Sequence, residues 1–376
     1  MRSVVIVAHR WLGLVAGLLL VVIGLSGSAL VFRQEIDEAL NPELLRVTPA
    51  ATRVPMQQVL DVAQRAFPDE APSRIRMPRT PEGVVEVWLG RAPSRYVYVD
   101  PYRGTLLGAR RPTEFLTGWL FYLHTKLLSG DAGERVVGVG ALVLAVLSIT
   151  GLVLWRPRRR SKREAQREAR VAIASGGRRR SAYDLHRAVG FYSSALLLIA
   201  SLTGASLVFH EAFEGIIYGL TRTPSKPAIP LAVSPPDRPS LPLDSLLSIA
   251  ERAQPGGKIS YIYPADAPTA AFRVRKRLAP EIHPNGRSYV ALDPRTGAVL
   301  GVEDGGRAPL GAQVYNALYP LHIGIGGSTA MRVLVLVVGL APALLAVTGV
   351  LQWWRRSARR RRRGRGRSPA RFSRAA

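Results

Sequence analysis

The stretch that decides the fold is HRWLGLVAGLLLVVIGLSGSALVF, residues 9–32, in which residues 11–32 contain no Asp, Glu, Lys or Arg. A helix rises about 1.5 Å per residue and needs roughly 20 such residues to cross a hydrocarbon core of about 30 Å. Three more uncharged runs of 20 to 22 residues occur at 136–155, 188–209 and 333–354. The sequence therefore predicts four transmembrane helices. We interpret the first as a retained anchor, because it is longer than the apolar core of a signal peptide.

The distribution of basic residues predicts the orientation of these helices. Segments 156–185 and 355–376 each carry 11 Lys and Arg, with three acidic residues in the first and none in the second. The long segments 33–134 and 211–330 are nearly balanced, with 13 basic and 13 acidic residues in one and 12 and 10 in the other. Loops rich in Lys and Arg stay on the cytoplasmic side. We therefore expect a bacterial inner-membrane protein with both termini in the cytoplasm and both long segments in the periplasm.

Charge and composition restrict the partners and cofactors. The net charge of +26 is concentrated in the two basic segments. An arginine run directly after a membrane helix is typical of binding to anionic lipid, so we expect membrane lipid and not nucleic acid as its partner. The composition of the tail predicts disorder. The chain has no cysteine, which excludes disulfides, thiolate-bound iron–sulfur clusters and covalently attached c-type haem.

The chain is two copies of one plan. Positions related by a constant shift carry the same or similar residues; a shift of 177 relates His9 to His186 and Ser26-Gly27 to Thr203-Gly204. A shift of 198 relates His124 to His322, Thr150-Gly151 to Thr348-Gly349 and Trp155 to Trp353. Such repeats show which positions serve the same purpose twice. We therefore predict a membrane α-helical fold, a four-helix bundle built from two parallel repeats.

The long segments repeat as well. Residues 55–67 and 242–253 have apolar residues at helical spacing after a proline. Alternating apolar and polar residues then predict strands, at 84–90, 95–99, 271–275 and 288–292. Asp-Pro-x-x-Gly turns follow at 100–104 and 293–297. Each long segment therefore predicts a small periplasmic α+β domain, with one helix on an antiparallel sheet of three or four strands.

These patterns divide the chain into eight segments. The four that carry membrane helices are 1–34, 113–156, 186–212 and 311–355, and the second and fourth of these begin with an outer Leu-His motif. The other four are the two periplasmic domains at 35–112 and 213–310, the basic cytoplasmic loop at 157–185 and the Arg-rich tail at 356–376.

Four of the six histidines occupy repeated positions at the ends of membrane helices. Ionisable residues in or near a membrane are costly and mark function. His9 and His186 belong to the cytoplasmic side, and His124 and His322 to the outer side. Two imidazoles that face one another can supply both axial ligands of a non-covalent b-type haem. We therefore predict two haem b groups, an inner one held by His9 and His186 and an outer one held by His124 and His322, which form an electron path across the bilayer.

Repeated glycines accompany these histidines. Gly13 and Gly190 follow the inner histidines by one helical turn. Gly27 and Gly204 lie 18 residues beyond them, a rise of about 27 Å that reaches the outer level. Gly151 and Gly349 fall near the inner level in the same way. Two interpretations stay open: these glycines leave room for a flat macrocycle, or they let helices pack closely.

Other candidate residues have competing interpretations. His210, at the outer end of the third helix, could replace His124 or His322 as a ligand. His283 is expected to be a solvated strand or loop residue, although it could help to bind an anionic partner. A basic cluster in the second outer segment either docks an anionic chelate or guards a solvated strand edge, which we favour; it comprises Arg273, Arg275, Lys276 and Arg277. The histidine spacing does not suit zinc, which needs three or four ligands close together.

The motifs HRWLGLVAGLLL, DLHRAVG, YLHTKLLSG, YPLHIG and the pair LSGSALVF and LTGASLVF resemble the PepSY-associated transmembrane helix family over residues 3–355. The resemblance implies an inner-membrane enzyme that passes electrons through two b-type haems to a ferric siderophore, with PepSY-type periplasmic domains. It also implies the ligand role for the four repeated histidines. The chain contains no flavin or nicotinamide domain, so we expect a cytoplasmic reductase or a membrane quinol as the electron donor.

Two other functions compete with a ferric-chelate reductase. A non-catalytic membrane regulator could use PepSY-type domains to bind a periplasmic peptidase or peptide. A transporter could use two halves of one plan for alternating access. The four histidines discriminate among them, because a peptidase-binding module needs none in the membrane and a transporter more often has polar groups at mid-depth.

Overall fold

The structure is a computed structural model that describes residues 2–90, 94–155, 177–224, 231–267 apart from 233, 236 and 237, 269–324 and 328–365. Four of its helices are long and apolar enough to span a membrane: α1 (Arg2–Leu30), α6 (Gly130–Trp155), α7 (Gly177–Val208) and α11 (Thr329–Arg365). The protein is therefore a multi-pass membrane protein.

Two predicted basic segments are described only in part. Most of the predicted basic loop, residues 156–176, lies outside the described residues, as does the end of the tail from residue 366. Helix α11 continues to Arg365, so it includes the first part of the tail for which the sequence predicts disorder.

Small residues let the membrane helices approach closely. A Cβ atom on Gly24 of α1 would lie 2.5 Å from the carbonyl oxygen of Gly339 on α11. Nearby, the hydroxyl of Ser28 donates a hydrogen bond to the carbonyl oxygen of Leu336, at 2.9 Å. Gly138 of α6 likewise faces the side chains that end α7. Such contacts hold helices together in the membrane, because lipid tails are as apolar as the side chains and provide no hydrophobic driving force for helix association.

The remaining elements follow the same order in each half of the chain. The first half has α2 (Arg33–Leu40), α3 (Pro42–Leu45), α4 (Met56–Ala66), β1 (Pro72–Arg76), β2 (Val85–Leu89), β3 (Arg95–Val99), β4 (Leu106–Arg110) and α5 (Leu116–Lys126). The second half has α8 (His210–Thr221), α9 (Leu243–Ala253), β5 (Lys258–Tyr263), β6 (Phe272–Arg277), β7 (Ser288–Leu292), β8 (Val299–Glu303) and α10 (Leu310–Ile323).

The strands of the two halves form one antiparallel sheet of eight strands, in the order β4-β3-β2-β1-β5-β6-β7-β8. The halves join where β1 pairs with β5, with Ile75 opposite Ile262 and Arg76 opposite Tyr261. The sequence predicts two separate units, each of which would expose one of these strands as an edge. Pairing satisfies the backbone groups of both edges.

One hydrophobic core underlies both halves of the sheet. Helices α4 and α9 lie on the same face, and Ile75, Ile262, Val87 and Val274 beneath them are fully buried. The carboxylate of Asp244 on α9 accepts hydrogen bonds from the backbone amides of Met56 and Gln57, and the side chain of Gln57 accepts one from the amide of Leu243. Each helix therefore satisfies amide groups in the first turn of the other, which fixes the two halves together.

The opposite face of the sheet is polar and aromatic and is turned toward the helices that adjoin the membrane. Arg110 on β4 donates two hydrogen bonds to Asp37 of α2, at 2.9 and 2.6 Å. Tyr96 on β3 lies 6.4 Å, ring centre to ring centre, from Phe115, which directly precedes α5. We call this surface the arginine–aromatic face; its central side chains are Arg74, Arg76, Glu86, Trp88, Tyr96, Tyr261, Tyr263, Arg273 and Arg275.

The structure corrects the interpretation of the basic cluster as a solvated edge, because β6 is an interior strand between β5 and β7. Its side chains also alternate between the two faces. Lys276 points toward the helices, where it is fully buried and pairs with Glu251 of α9 at 2.7 Å. Arg275 points to the arginine–aromatic face and donates two hydrogen bonds to the carbonyl oxygen of Gly286. The four basic residues therefore do not form one surface cluster.

Candidate metal centre

The structure brings His124 and His322 together, and we call them the outer pair. His124 is in α5 and His322 in α10, so each half of the chain supplies one imidazole. Their ring centres are 6.2 Å apart and the rings are tilted by 39°. Two imidazoles that share one metal ion, each at a metal–nitrogen distance of about 2 Å, have ring centres about 6 Å apart. The observed separation therefore suits one metal ion between the two rings.

Hydrogen bonds fix the protonation of both rings in the outer pair. Nδ1 of His124 lies 2.9 Å from the carbonyl oxygen of Ile23 on α1, and Nδ1 of His322 lies 3.1 Å from that of Ala200 on α7. A carbonyl oxygen can only accept a hydrogen bond, so Nδ1 carries the proton in each ring. The lone pair is then on Nε2, for which the described residues provide no hydrogen bond. This is the tautomer that binds a metal through Nε2.

His9 and His186, the inner pair, have hydroxyl partners instead of carbonyls. Nδ1 of His9 lies 2.8 Å from the hydroxyl oxygen of Thr150 on α6, and Nδ1 of His186 lies 2.8 Å from that of Thr348 on α11. Each threonine donates its single hydroxyl proton to a backbone carbonyl one turn earlier, at 2.7 and 2.6 Å. The hydroxyls must therefore accept from Nδ1–H, which leaves Nε2 unprotonated in the inner pair as well.

The profile of the family described as "PepSY-associated TM region" matches residues 7–356, nearly the whole chain. The chain belongs to this family. It is also 26% identical over 264 residues to a Pseudomonas aeruginosa protein named "Uncharacterized protein PA4219". That alignment covers 64% of this chain and 63% of the relative, so the chain spans less than two thirds of the relative's length.

In this PepSY-associated TM protein, four of the six repeated glycines lie against the histidine rings. A Cβ atom on Gly27 would lie 2.7 Å from Cε1 of His124, and one on Gly204 would lie 3.0 Å from Cε1 of His322. On the inner side, the corresponding distances are 3.5 Å from Gly151 to His9 and 3.6 Å from Gly349 to His186. The requirement for glycine is therefore strictest at the outer pair, where any side chain would displace the imidazole ring.

The other two repeated glycines contact helices. A Cβ atom on Gly13 would lie 3.9 Å from the side chain of Leu147 on α6, and one on Gly190 would lie 3.6 Å from that of Leu345 on α11. Both are ordinary packing distances, so an alanine would fit at either position. The interpretation as helix packing suits Gly13 and Gly190 better than the interpretation as clearance for a macrocycle.

His210 does not join either pair. It is exposed at the start of α8. Among the residues that the structure describes, its side chain has no hydrogen bond and no ring contact, with the outer pair or otherwise. The geometry therefore gives no support to His210 as an alternative outer ligand.

His283 is buried, which corrects the expectation of a solvated residue. Only 4% of it is exposed, and its ring stacks on that of Tyr319 in α10 with the ring centres 5.2 Å apart. Its Nδ1 accepts a hydrogen bond from Arg275 at 3.2 Å. Burial, aided by neighbouring arginines such as Arg287, lowers the pKa of His283 to about 2, so the imidazole is neutral. His283 thus links the sheet to Tyr319 of α10, which precedes His322 by one turn.

The donor set of the four histidines suits haem better than a metal held by protein alone. Among the residues that the structure describes, no group of three or more His, Asp or Glu side chains could hold a metal ion. Each pair instead offers two neutral imidazoles, and the chemistry of a bis-histidine haem requires that number, since the porphyrin supplies the other ligands. The residues present therefore fit a non-covalent haem at the outer pair. At the inner pair, the tautomers of His9 and His186 suit the same ligand role.

The sequence predicts that the Ser/Thr-Gly pairs adjoin the haems, but it did not predict that their hydroxyl residues contact the histidines. Ser26, Thr203, Thr150 and Thr348 each place a hydroxyl oxygen within 3.3 Å of Nδ1 of a paired histidine. The signal was present, because the Ser/Thr-Gly pairs recur at both constant shifts. In each pair the hydroxyl orients the imidazole and the glycine gives it room, which is how partners of metal ligands commonly act.

Proposed function

We propose that this chain is a haem b oxidoreductase of the bacterial inner membrane that passes electrons from a cytoplasmic reductase or the quinol pool to a ferric siderophore or other ferric chelate in the periplasm. The observation that carries the proposal is the outer pair, with ring centres 6.2 Å apart and each Nδ1 held by a partner. A bound haem b supplies one-electron chemistry at its iron. The protein supplies the imidazoles, their orientation and an apolar surrounding.

The two pairs support electron transfer across the membrane. The inner pair is held near one end of the membrane helices and the outer pair near the other, because Ser26-Gly27, beside His124, follows His9 by about 27 Å of helix. The Arg- and Lys-rich segments adjoin the inner pair, and the positive-inside rule places that end in the cytoplasm. Electrons would then move from the inner pair to the outer pair and on to an acceptor beside the sheet, which in this orientation is periplasmic and corresponds to two PepSY-like units.

Reduction is a sufficient way to release chelated iron. Ferric iron is held by hard oxygen donors, and one added electron gives the softer ferrous ion, for which such a cage has lower affinity. Ferrous iron could then be released for uptake without cleavage of the chelator. A non-catalytic regulator that binds a peptidase or peptide would not need four imidazoles with fixed tautomers, so the alternative function leaves the main feature of the structure without a role.

A spectrum of the purified protein tests the proposal. Protein prepared in detergent from haem-replete cells should contain about two haem b groups per chain by pyridine haemochrome assay, with sharp α and β bands after reduction. His9→Ala and His186→Ala should each remove the inner haem, and His124→Ala and His322→Ala the outer one. His210→Ala, at an exposed position, is the matched control and should keep both.

Activity is tested separately. The reduced protein should be reoxidised by a ferric chelate but not by its gallium analogue, which has the same shape and cannot accept the electron. A colourless preparation would refute the proposal. Loss of both haems in all four variants would refute the pairing, and equal effects of the ferric and gallium complexes would refute the assignment of the acceptor.

A further inference from the structure

The centre of the arginine–aromatic face contains two arginines whose charge is not neutralised. Cζ of Arg74 on β1 lies 4.8 Å from the ring centre of Trp88, 5.5 Å from that of Tyr261 and 5.2 Å from that of Tyr263. Cζ of Arg273 on β6 lies 5.0 Å from the ring centre of Tyr263. Among the residues that the structure describes, neither arginine has an ion pair or a hydrogen bond. Their donors are therefore oriented by aromatic rings and remain available to a ligand.

The carboxylate on the neighbouring strand β2 is already engaged. Glu86 on β2 accepts a hydrogen bond from Arg76 at 2.7 Å and another from Nε1 of Trp88 at 3.3 Å. The charge of Glu86 raises the pKa of Arg76 above its usual value, so Arg76 keeps its positive charge in this ion pair. Glu86 therefore neutralises Arg76, and the positive charge of Arg74 and Arg273 is left over at the middle of the sheet.

Hydroxyl donors complete this surface. Tyr261 and Tyr263 flank Arg74 on the neighbouring strand, both are partly exposed, and their hydroxyls have no hydrogen bond to the part of the chain that the structure describes. Guanidinium groups and phenolic hydroxyls together suit oxygen anions, since guanidinium groups bind such anions in a bidentate manner. The rings that hold Arg74 in place reduce the entropy that binding would cost.

This surface also faces the helices that carry the outer pair. Trp88 stacks on Tyr96 with ring centres 4.5 Å apart, and Tyr96 contacts Phe115 at the start of α5, the helix of His124. On the other side, Arg275 donates a hydrogen bond to His283, whose ring stacks on that of Tyr319, and Tyr319 precedes His322 by one turn of α10. A ligand bound at Arg74 would therefore lie on the side of the sheet that faces the proposed outer haem.

We propose that the arginine–aromatic face binds the ferric chelate and selects chelates with net negative charge, with Arg74 and Arg273 as the anion-binding residues. This inference rests on the proposed function and names the class of its substrate. Charge complementarity is the argument for this occupant: an anionic oxygen-rich chelate supplies the charge that the described residues do not. A neutral chelate of equal size would leave both guanidinium groups without a partner.

Binding of redox-inert complexes tests the proposal without requiring reduction. Two probes are compared on the full protein in detergent by titration calorimetry: the trianionic gallium(III) complex of a hexadentate tris-catecholate and the neutral gallium(III) complex of a hexadentate tris-hydroxamate. We expect the anionic complex to bind at least about tenfold more tightly at low ionic strength and to lose this advantage as salt is added, because exposed charges are screened. Equal affinity for the two complexes would overturn the proposal.

Variants locate the site. Arg74→Gln and Arg273→Gln should each weaken binding of the anionic complex by about tenfold and leave binding of the neutral complex unchanged, since a hydrogen bond to a charged group is stronger than a neutral one. Arg65→Gln is the matched control, because Arg65 is an exposed arginine of α4 on the opposite face of the sheet. If both Arg74→Gln and Arg273→Gln bind the anionic complex as the wild type does, the proposal is wrong.

The haem spectrum separates this proposal from the proposed function. Arg74 touches none of the four paired histidines, so Arg74→Gln should keep both haems. A protein with two haems and wild-type binding in both variants would contradict only the binding site. A haem-free protein that still binds the anionic complex through Arg74 would contradict the oxidoreductase and support the site.

Discussion

Replacing Gly27 by alanine should disturb the proposed outer haem more than the same change at Gly151 disturbs the proposed inner one. A Cβ atom on Gly27 would lie 2.7 Å from Cε1 of His124, whereas ordinary contact begins at 3.4 Å, so the imidazole would have to withdraw by about 0.7 Å. The ring cannot withdraw freely, because its Nδ1 donates a hydrogen bond of 2.9 Å to the carbonyl oxygen of Ile23, which is on α1 like Gly27. At Gly151 the corresponding distance is 3.5 Å, and alanine fits without movement.

The energy of this displacement can be bounded. Overpacking of a well-packed site costs about 1–3 kcal/mol, which corresponds to a loss of about 5- to 150-fold in haem affinity at the outer site. Alanine favours a helix over glycine by about 1 kcal/mol, so the substitution should not unfold α1. The loss should therefore appear in haem binding and not in the helix content of the protein.

The assay is a haem titration of the purified variants, with pyridine haemochrome stoichiometry and spectra of the oxidised and reduced forms. We expect Gly27→Ala to retain the inner haem and to lose or weaken the outer one. Gly204→Ala, with a distance of 3.0 Å to His322, should do the same to a smaller extent, and Gly151→Ala should resemble the wild type. The reasoning would be refuted if Gly27→Ala bound two haems with wild-type affinity, or if Gly151→Ala lost as much as Gly27→Ala.

Two further predictions concern residues around the pairs. Thr150→Val removes the acceptor for Nδ1–H of His9 and should weaken haem binding at the inner site by about 10- to 100-fold, as haem titration would show. The control is Thr125→Val, which should have no effect, because the exposed hydroxyl of Thr125 bonds only the carbonyl of Phe121 in its own helix. Burial lowers the pKa of His283 from 6.5 to about 2. Below about pH 6.5 the unfolded chain therefore takes up a proton that the folded protein excludes. The contribution of the neutral His283 to the free energy of unfolding is therefore complete above that pH and decreases below it. The melting temperature should therefore decrease between pH 7 and pH 5 in the wild type, less in His283→Gln, and as in the wild type in the exposed-site control His210→Gln.

The four membrane helices could be predicted from the sequence because one physical requirement sets them. An uncharged run of 20 or more residues is needed to cross a bilayer, and the predicted run 136–155 lies within the observed helix Gly130–Trp155. The constant shifts also assigned the histidines to two levels, and the structure brings the two outer ones, His124 and His322, together. Whether iron lies between them stays a prediction.

The joining of the two outer segments could not be predicted in the same way. Periodicity identifies a strand and its buried face but not its partner, and β1 and β5 are separated by more than 180 residues. The prediction that His283 is solvated was wrong for a related reason: its burial depends on Tyr319 and Arg275, neither of which is adjacent to it in sequence. The sequence likewise placed Arg273 and Lys276 in one cluster, although successive residues of a strand point to opposite faces and these two, three positions apart, lie on different faces.

The outer pair depends on contacts between the two halves, because each half contributes a single imidazole to it. His124 is anchored to α1 and His322 to α7, so their separation of 6.2 Å is set by how the halves meet. They meet in the membrane where α1 crosses α11, at the membrane boundary where Arg332 pairs with Glu35, and in the sheet where β1 pairs with β5. The iron that we propose between the two imidazoles would tolerate only small changes in their distance, so the paired sheet and the crossed helices would act together to hold that distance. The sheet is therefore part of the architecture of the proposed metal site, in addition to carrying the surface that we propose binds the chelate.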